Sequence, residues 1–249
     1  MIAILSPAKN MKRNGESILS GIDVSKLPFH KETKQLLTHL KELNYWQIES
    51  LMKVNEKIAH QAMLDFQDFS FSKKGLPAIY AYDGLVFKQL KTTEYVKEDL
   101  VYAENHIRIL SGFYGVIAPL DEIHPYRLEM QTPIQINSKN LYQFWNDKLY
   151  QELYKNESIV VNLASEEYAK CIRPYVTANQ QFIDIEFLIH RDGKLKTIAT
   201  FAKMARGQMI QYMIQNKVET VEELKEFQWD GYLFRQELSH STKYVFVKQ

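Results

Sequence analysis

Arg108–Met130 reads R-I-L-S-G-F-Y-G-V-I-A-P-L-D-E-I-H-P-Y-R-L-E-M. An apolar pattern runs into this stretch through Val96, Leu100, Val101, Ala103, Ile107, Ile109 and Leu110, and it predicts a helix from about Val96 to Leu110. Ser111, Gly112 and Gly115 then break the pattern, because glycine leaves a helix readily and accepts positive φ. Pro119 stops any following helix early, and Pro125 sets an extended turn before Tyr126-Arg127. A core needs no such run of small residues, prolines, an arginine and a carboxylate. Segments of this kind form loops that touch something.

Toward the N-terminus, Met1–Leu5 is apolar throughout and reads as a buried strand. Ser6-Pro7-Ala8-Lys9-Asn10 follows at once, and Lys9, Lys12 and Arg13 lie close together, a basic loop that suits an anion or a plain solvated turn. Phe29–Leu43 carries Leu36, Leu37, Leu40 and Leu43 at helical spacing. Trp46–Val54 and Asn55–Phe66 read as two further helices. A helix-turn-helix is disfavoured there, since Glu56, Asp65 and Asp68 make a poor recognition surface. Pro77–Tyr82 reads as a buried strand, Asp83-Gly84 as its turn, and Leu85–Leu90 as helical.

On the other side, Leu141–Leu153 is in helical register. Ser158–Leu163 is a strand leading into Ala164-Ser165-Glu166-Glu167, where Ser165 suits an N-cap and the glutamates suit a first turn. Phe182–Ile189 and Leu195–Phe201 read as two strands joined by a turn at Asp192-Gly193. Lys203-Met204-Ala205-Arg206-Gly207 then opens a helix through Met209, Ile210, Met213 and Ile214. Cations in a first turn oppose the macrodipole, so Lys203 and Arg206 point to a collected positive potential for a ligand. Arg191–Arg206 holds five basic residues and one acid, the most basic window in the chain. Glu219–Glu226 reads as a helix, and Tyr232–Arg235 and Tyr244–Lys248 as closing strands.

With 249 residues, no Pro/Gly/Ser-rich linker and no fixed-period repeat, one compact domain is expected over 1–249. No apolar run is long enough to span a bilayer and the start does not read as a signal peptide, so no membrane partner is expected. The lone Cys171 excludes an internal disulfide framework, and these features together point to the cytoplasm. Lys+Arg 31 against Asp+Glu 30 leaves almost no net charge, so nucleic-acid binding would need a local basic patch.

No G-x-S-x-G, Walker motif, G-x-G-x-x-G, H-E-x-x-H or C-x-x-C is present, and no cofactor is expected. Asp121, Glu122 and His124 sit close together, but their surroundings suit a structural loop better than a metal site, so no metal is expected either. Cys171 has no resolving partner. What remains is Lys9, Arg108, Arg127, Lys203 and Arg206, each at the end of an expected element, a set that suits phosphate. The turn Leu110–Val116 is also compatible with a helix-hairpin-helix module, whose glycines let backbone N–H groups approach a phosphate, or with a plain turn.

The blocks I-L-S-P-A-K (Ile4–Lys9), R-I-L-S-G-F-Y-G-V (Arg108–Val116), P-L-D (Pro119–Asp121), P-Y-R-L-E-M (Pro125–Met130), L-Y-Q-F-W (Leu141–Trp145), N-L-A-S-E-E-Y (Asn162–Tyr168) and A-K-M-A-R-G (Ala202–Gly207) resemble, in this order, the YaaA family of peroxide stress proteins. The resemblance covers nearly the whole chain. It implies an α+β fold, a mixed sheet with surrounding helices, a helix-hairpin-helix-like element and a positively charged cleft. It further implies binding of double-stranded DNA without sequence preference, and a role in limiting damage when peroxide and iron meet. Two positions depart from the family pattern: Ala118 stands where arginine is common, and Gln131 where glycine is common.

Two readings stay open. In the first, a DNA-binding stress protein uses Lys9, Arg108, Arg127, Lys203 and Arg206, with Gly112, Tyr114 and Gly115 at the turn, against phosphates. In the second, an enzyme holds a nucleotide or another phosphorylated small molecule on the same cations, with Tyr126, Glu129 or Glu167 moving a proton. A deep pocket joining P-Y-R-L-E-M to N-L-A-S-E-E-Y favours the second; a groove wide enough for a duplex favours the first. Direct iron sequestration finds no ligand cluster to support it.

Overall fold

Ile2–Leu5, here β1, is buried along its whole length, and the reason is its place in the sheet. The structure, a computed structural model, describes residues 1–13 and 27–249. The further strands are β2 (Leu76–Pro77), β3 (Ile107–Ser111), β4 (Gly115–Ile117), β5 (Glu122–Ile123), β6 (Ile159–Asn162), β7 (Gln181–Arg191), β8 (Lys194–Lys196), β9 (Tyr232–Phe234) and β10 (Lys243–Lys248). The α-helices are α1 (His30–Lys41), α2 (Tyr45–Met52), α3 (Glu56–Asp68), α4 (Ala78–Ala81), α5 (Lys97–His106), α6 (Leu141–Trp145), α7 (Lys148–Leu153), α8 (Glu166–Ala169) and α9 (Ala199–Asn216).

The main sheet has the order β4-β3-β1-β6-β7-β10-β9, with β8 paired to the far end of β7. β1 runs parallel to both neighbours, Ala3 standing opposite Ile107 of β3 and Val161 of β6. β6, β7 and β10 continue the parallel set, while β4, β8 and β9 are antiparallel additions. Interior parallel strands are covered on both faces, which is why β1 and most of β6 show no polar alternation. The fold is α+β with a mixed sheet, as the family resemblance implies.

Several element assignments are corrected. The helix expected to Leu110 ends at His106, and Ile107–Ser111 is a strand. A short run of buried apolar residues is ambiguous between helix and inner strand, and here pairing with β1 decides it. The glycine turn therefore joins two antiparallel strands, with Ser111 opposite Gly115; it is a β-hairpin, not a helix-hairpin-helix. Pro77–Tyr82 is not a strand: Pro77 ends β2, which pairs with β5, Ala78–Ala81 is helical, proline being well suited to a helix start, and Tyr82 makes an isolated bridge with Met11. Leu141–Leu153 splits into α6 and α7 at Asn146, whose φ is 47°. The second arm of the Asp192-Gly193 hairpin ends at Lys196, and Ala199 already begins α9. Lys203 and Arg206 thus lie beyond the first turn, and the macrodipole argument does not apply to them. Within Glu219–Glu226 only Glu223–Glu226 is helical, as a 3-10 turn.

Candidate functional site

The carboxyl ends of β1 and β6 lie side by side, and the chain goes from β1 to β3 on one side and later to β6 on the other. In open parallel sheets this reversal of direction leaves a crevice that collects ligands. A cavity of about 410 Å³ opens there. Five stretches line it: Ser6–Asn10 after β1, Asp83–Phe87, Tyr126–Glu129, Leu163–Tyr168 after β6, and Lys203 with Arg206 on α9. P-Y-R-L-E-M and N-L-A-S-E-E-Y meet in it, as the second reading requires.

Its walls touch through glycines. A Cβ on Gly84 would stand 2.7 Å from the Cβ of Ala8, and one on Gly207 would stand 2.2 Å from the carbonyl oxygen of Val86. The loop 83–87 is therefore clasped between the β1 loop and α9. Ser6 seals the junction of the two strand ends: its Oγ accepts the Ser165 N–H at 2.8 Å and lies 3.1 Å from the Ser165 Oγ. Ser165 begins α8, but its side chain caps no helix N–H, because it turns to Ser6 instead.

The cations differ in what they hold. Lys9, with its side chain 62% exposed, pairs with Glu129 at 2.7 Å. Such a solvent-facing pair is worth roughly 0–1 kcal/mol and exchanges easily. Arg127 donates to the Lys9 carbonyl at 3.4 Å and approaches Glu129 at 3.8 Å, while its buried Nε has no partner. Arg206 has neither a hydrogen bond nor an ion pair among the described residues, and its Nε is buried and unpartnered. Burial pulls its pKa down, and Asp184 only partly offsets this. The Asp184 carboxylate is already taken, by Asn162 at 2.7 Å and Arg173 at 3.0 Å. A desolvated guanidinium without an anion is unfavourable by several kcal/mol unless something compensates it.

The acid–base candidates separate. Burial holds the Glu167 carboxyl above the ordinary carboxylate range, and the neighbouring Glu129 adds to the shift. Glu167 accepts the backbone N–H of Gln131 at 3.2 Å, a bond that glycine at this place would make equally well. Tyr126 is buried, and burial pushes its phenol up to about 12. Its hydroxyl lies 2.7 Å from Ser111 Oγ and 2.8 Å from the Tyr82 hydroxyl. Ser111 Oγ already accepts the N–H groups of Phe113 and Tyr114, so its proton goes to Tyr126. Tyr126 is a fixed link beneath the cavity and no base near neutral pH.

Four expected phosphate-binding residues lie elsewhere. Gly112, Tyr114 and Gly115 are buried. A Cβ on Gly112 would meet the Leu128 carbonyl at 2.9 Å, and the Gly112 carbonyl accepts from Trp145 Nε1. Gly115, at φ 81°, packs under Phe29 and Trp145. The Tyr114 hydroxyl accepts the His124 N–H. These glycines admit the protein's own chain, not a ligand. Arg108 donates to the carbonyls of Glu104 and Ile107 and caps the end of α5. Ala118 is buried too, its N–H donated to Asp121, so an arginine missing at that place removes nothing from the surface of this chain.

Among the described residues no three His, Cys, Asp or Glu side chains are grouped to hold a metal. Asp121 is committed to the Ala118 turn, Glu122 accepts from Gly75, and burial lowers the His124 pKa. Burial pushes the Cys171 thiol up to about 12, which leaves it unreactive. Sequence reasoning missed Ser6, Leu85, Val86 and Tyr168 as lining residues. The signal for Ser6 was its place directly after an inner parallel strand. Nothing in Leu85-Val86 announces a wall, since a contact with a glycine on a distant helix puts it there.

A family model described as peroxide stress protein YaaA matches residues 1–238. The chain is 39% identical to a UPF0246 protein of Clostridioides difficile and 40% identical to one of Ligilactobacillus salivarius, over the whole of each chain. It is 41% identical to a UPF0246 protein of Pediococcus pentosaceus, over all of this chain and 98% of the relative. On this similarity, at full length, the chain belongs to the YaaA family of peroxide stress proteins.

Proposed function

We propose that this protein binds a small phosphorylated molecule in the cavity and acts on it by proton transfer, in the setting of peroxide stress that the family description names. Arg206 and Lys203 hold the anion, Lys9 can leave Glu129 to join them, and Glu167 carries the proton. The observation that carries this reading is Arg206: a desolvated guanidinium lining a cavity, its buried Nε without a hydrogen-bond partner and, among the described residues, its charge only partly offset by Asp184. A phosphate supplies what it lacks, through charge-assisted and bidentate hydrogen bonds.

Calorimetric titration with ribose 5-phosphate and other small phosphorylated molecules at neutral pH tests the reading, and no binding by any of them at millimolar concentration would overturn it. Sulfate, whose charge is constant over the working range, isolates the role of Glu167. The raised pKa means that Glu167 loses its charge, as pH falls, earlier than an ordinary glutamate. Its repulsion of the anion ends with that protonation, so sulfate affinity is expected to rise as pH falls through this window. Glu167→Gln is expected to flatten that dependence.

A second reading, cytosolic binding of duplex DNA without sequence preference to limit peroxide and iron damage, has a separate observation in its favour. β7 runs on past the end of β6, and the tip of the β7–β8 hairpin carries exposed Arg191, Lys194 and Lys196, with Lys203 exposed on α9. This basic edge overhangs the side of the sheet where the cavity opens. A fluorescent duplex of about 20 base pairs should then bind with a log–log salt slope near −0.9 per phosphate neutralised. Arg191→Ala/Lys194→Ala should reduce that slope while leaving ribose 5-phosphate binding intact. Absence of duplex binding at low salt would sink this reading alone.

A further inference from the structure

The cavity has two polar ends with an apolar strip between them. Gly84 touches Ala8, the neighbour of Lys9, and Val86 touches Gly207, the neighbour of Arg206. The strip Gly84-Leu85-Val86 thus runs from the Lys9–Glu129 cluster to the α9 cations, over roughly 7 Å at most for two residue steps. Leu85 is 40% exposed, one of the few large apolar side chains left open to solvent, and it lines the cavity. At the Lys9 end, where Glu129 pairs with Lys9, Glu129 and Glu167 present carboxyl oxygens, held by one turn: the Glu129 N–H meets Thr132 Oγ1 and the Gln131 N–H meets Glu167.

An inorganic phosphate would use only the cationic end. A sugar phosphate would leave Leu85 open to water, although its hydroxyls can donate to the carboxylates as N–H groups do. A ligand that satisfies all three parts carries an anion, then a flat apolar body, then N–H donors facing outward from it. Resting on the phosphorylated-ligand reading above, we infer that the cavity takes a nucleoside monophosphate whose base bears an amino group, its phosphate on Arg206 and Lys203, its base against Leu85-Val86 and its amino edge toward Glu129 and Glu167. Carboxylates accepting from exocyclic amino groups are a recurring mode of base recognition.

Titrations of the whole protein with adenosine 5′-monophosphate, inosine 5′-monophosphate, ribose 5-phosphate and inorganic phosphate separate the parts. The adenine nucleotide is expected to bind at least about tenfold more tightly than ribose 5-phosphate, and more tightly than the inosine nucleotide, which has an oxo group where adenine has its amino group. Leu85→Ser changes a solvent-exposed side chain and should leave folding intact. It is expected to remove most of the advantage of the adenine nucleotide and to spare ribose 5-phosphate. Equal affinities for adenosine 5′-monophosphate and ribose 5-phosphate, or an unchanged ratio in Leu85→Ser, would overturn the inference while the phosphorylated-ligand reading stands. A cytidine over uridine preference with no adenine over inosine preference would move the base to a pyrimidine and keep the amino requirement; absence of both preferences would remove the requirement. If no phosphorylated compound binds at all, the underlying reading falls, and this inference with it.

Discussion

Arg206→Met should weaken ribose 5-phosphate binding by roughly 10- to 150-fold, the equivalent of one hydrogen-bonded charge at about 1.5–3 kcal/mol. The same change should leave thermal stability equal or raise it. In the free protein the Arg206 Nε is buried without a hydrogen-bond partner and Asp184 offsets the desolvation only in part, so removing the guanidinium removes an undercompensated charge and keeps most of the apolar stem. A structural arginine behaves the other way, with loss of stability and function together. Arg206→Lys should retain part of the binding, since it keeps the charge but loses the planar fork. Calorimetry and thermal melts on the same preparations decide the matter. A fall in melting temperature on Arg206→Met, with binding unchanged, would remove the foundation of the proposed site.

Gly207→Ala should be the most damaging single methyl group in the cavity wall. The added carbon would stand 2.2 Å from the Val86 carbonyl oxygen and 2.8 Å from Gln89 Cβ. The first of these is backbone, which cannot swing aside, so α9 or the loop 83–89 must move. Overpacking of this kind costs about 1–3 kcal/mol, and each kcal/mol lowers the melting temperature by ~2–4 °C in a chain of this size. Because the displaced atoms form the cavity wall, ligand affinity should fall with stability. Gly193→Ala is the comparison: it meets no atom within 4 Å, but it sits at φ 72° in the β7–β8 turn. There the cost is the left-handed backbone alone, about 1–2 kcal/mol, and ligand binding should not change. If the Gly207 variant melts with the wild type, α9 is not seated against Val86 as described.

The limits of sequence reading follow from the same geometry. Periodicity found β1, β6, β9, β10 and the first arm of the β7–β8 hairpin, because inner strands and turn signals are local facts. It misjudged Ile107–Ser111, since three apolar residues in a stretch of five look alike in a helix and in a buried strand, and the arbiter is β1, far away in the chain. The same holds for Gly112 and Gly115. Their smallness was read as room for a phosphate, whereas the occupants are Leu128, Phe29 and Trp145. Lys9, Arg127, Lys203 and Arg206 were found because charge at the end of an element is visible in one dimension, and all four line the cavity. Arg108 satisfied the same rule and proved to be a helix cap. Sequence could not show which cation is left undercompensated, for that depends on Asp184 being engaged by Asn162 and Arg173.

The central position of β1 also has a price in biosynthesis. Ala3 must find Ile107 and Val161 before its backbone is paired on both edges, and both partners are translated long after it. At 5–20 residues per second the ribosome takes on the order of ten seconds to deliver β6, and loop closures of this length make for slow nucleation. Until β3 is delivered I-A-I-L is an unpaired apolar strand on a nascent chain, and until β6 follows one of its edges stays open. Yield in the cell should therefore depend on translation speed and chaperone supply more than on the equilibrium stability of the finished fold.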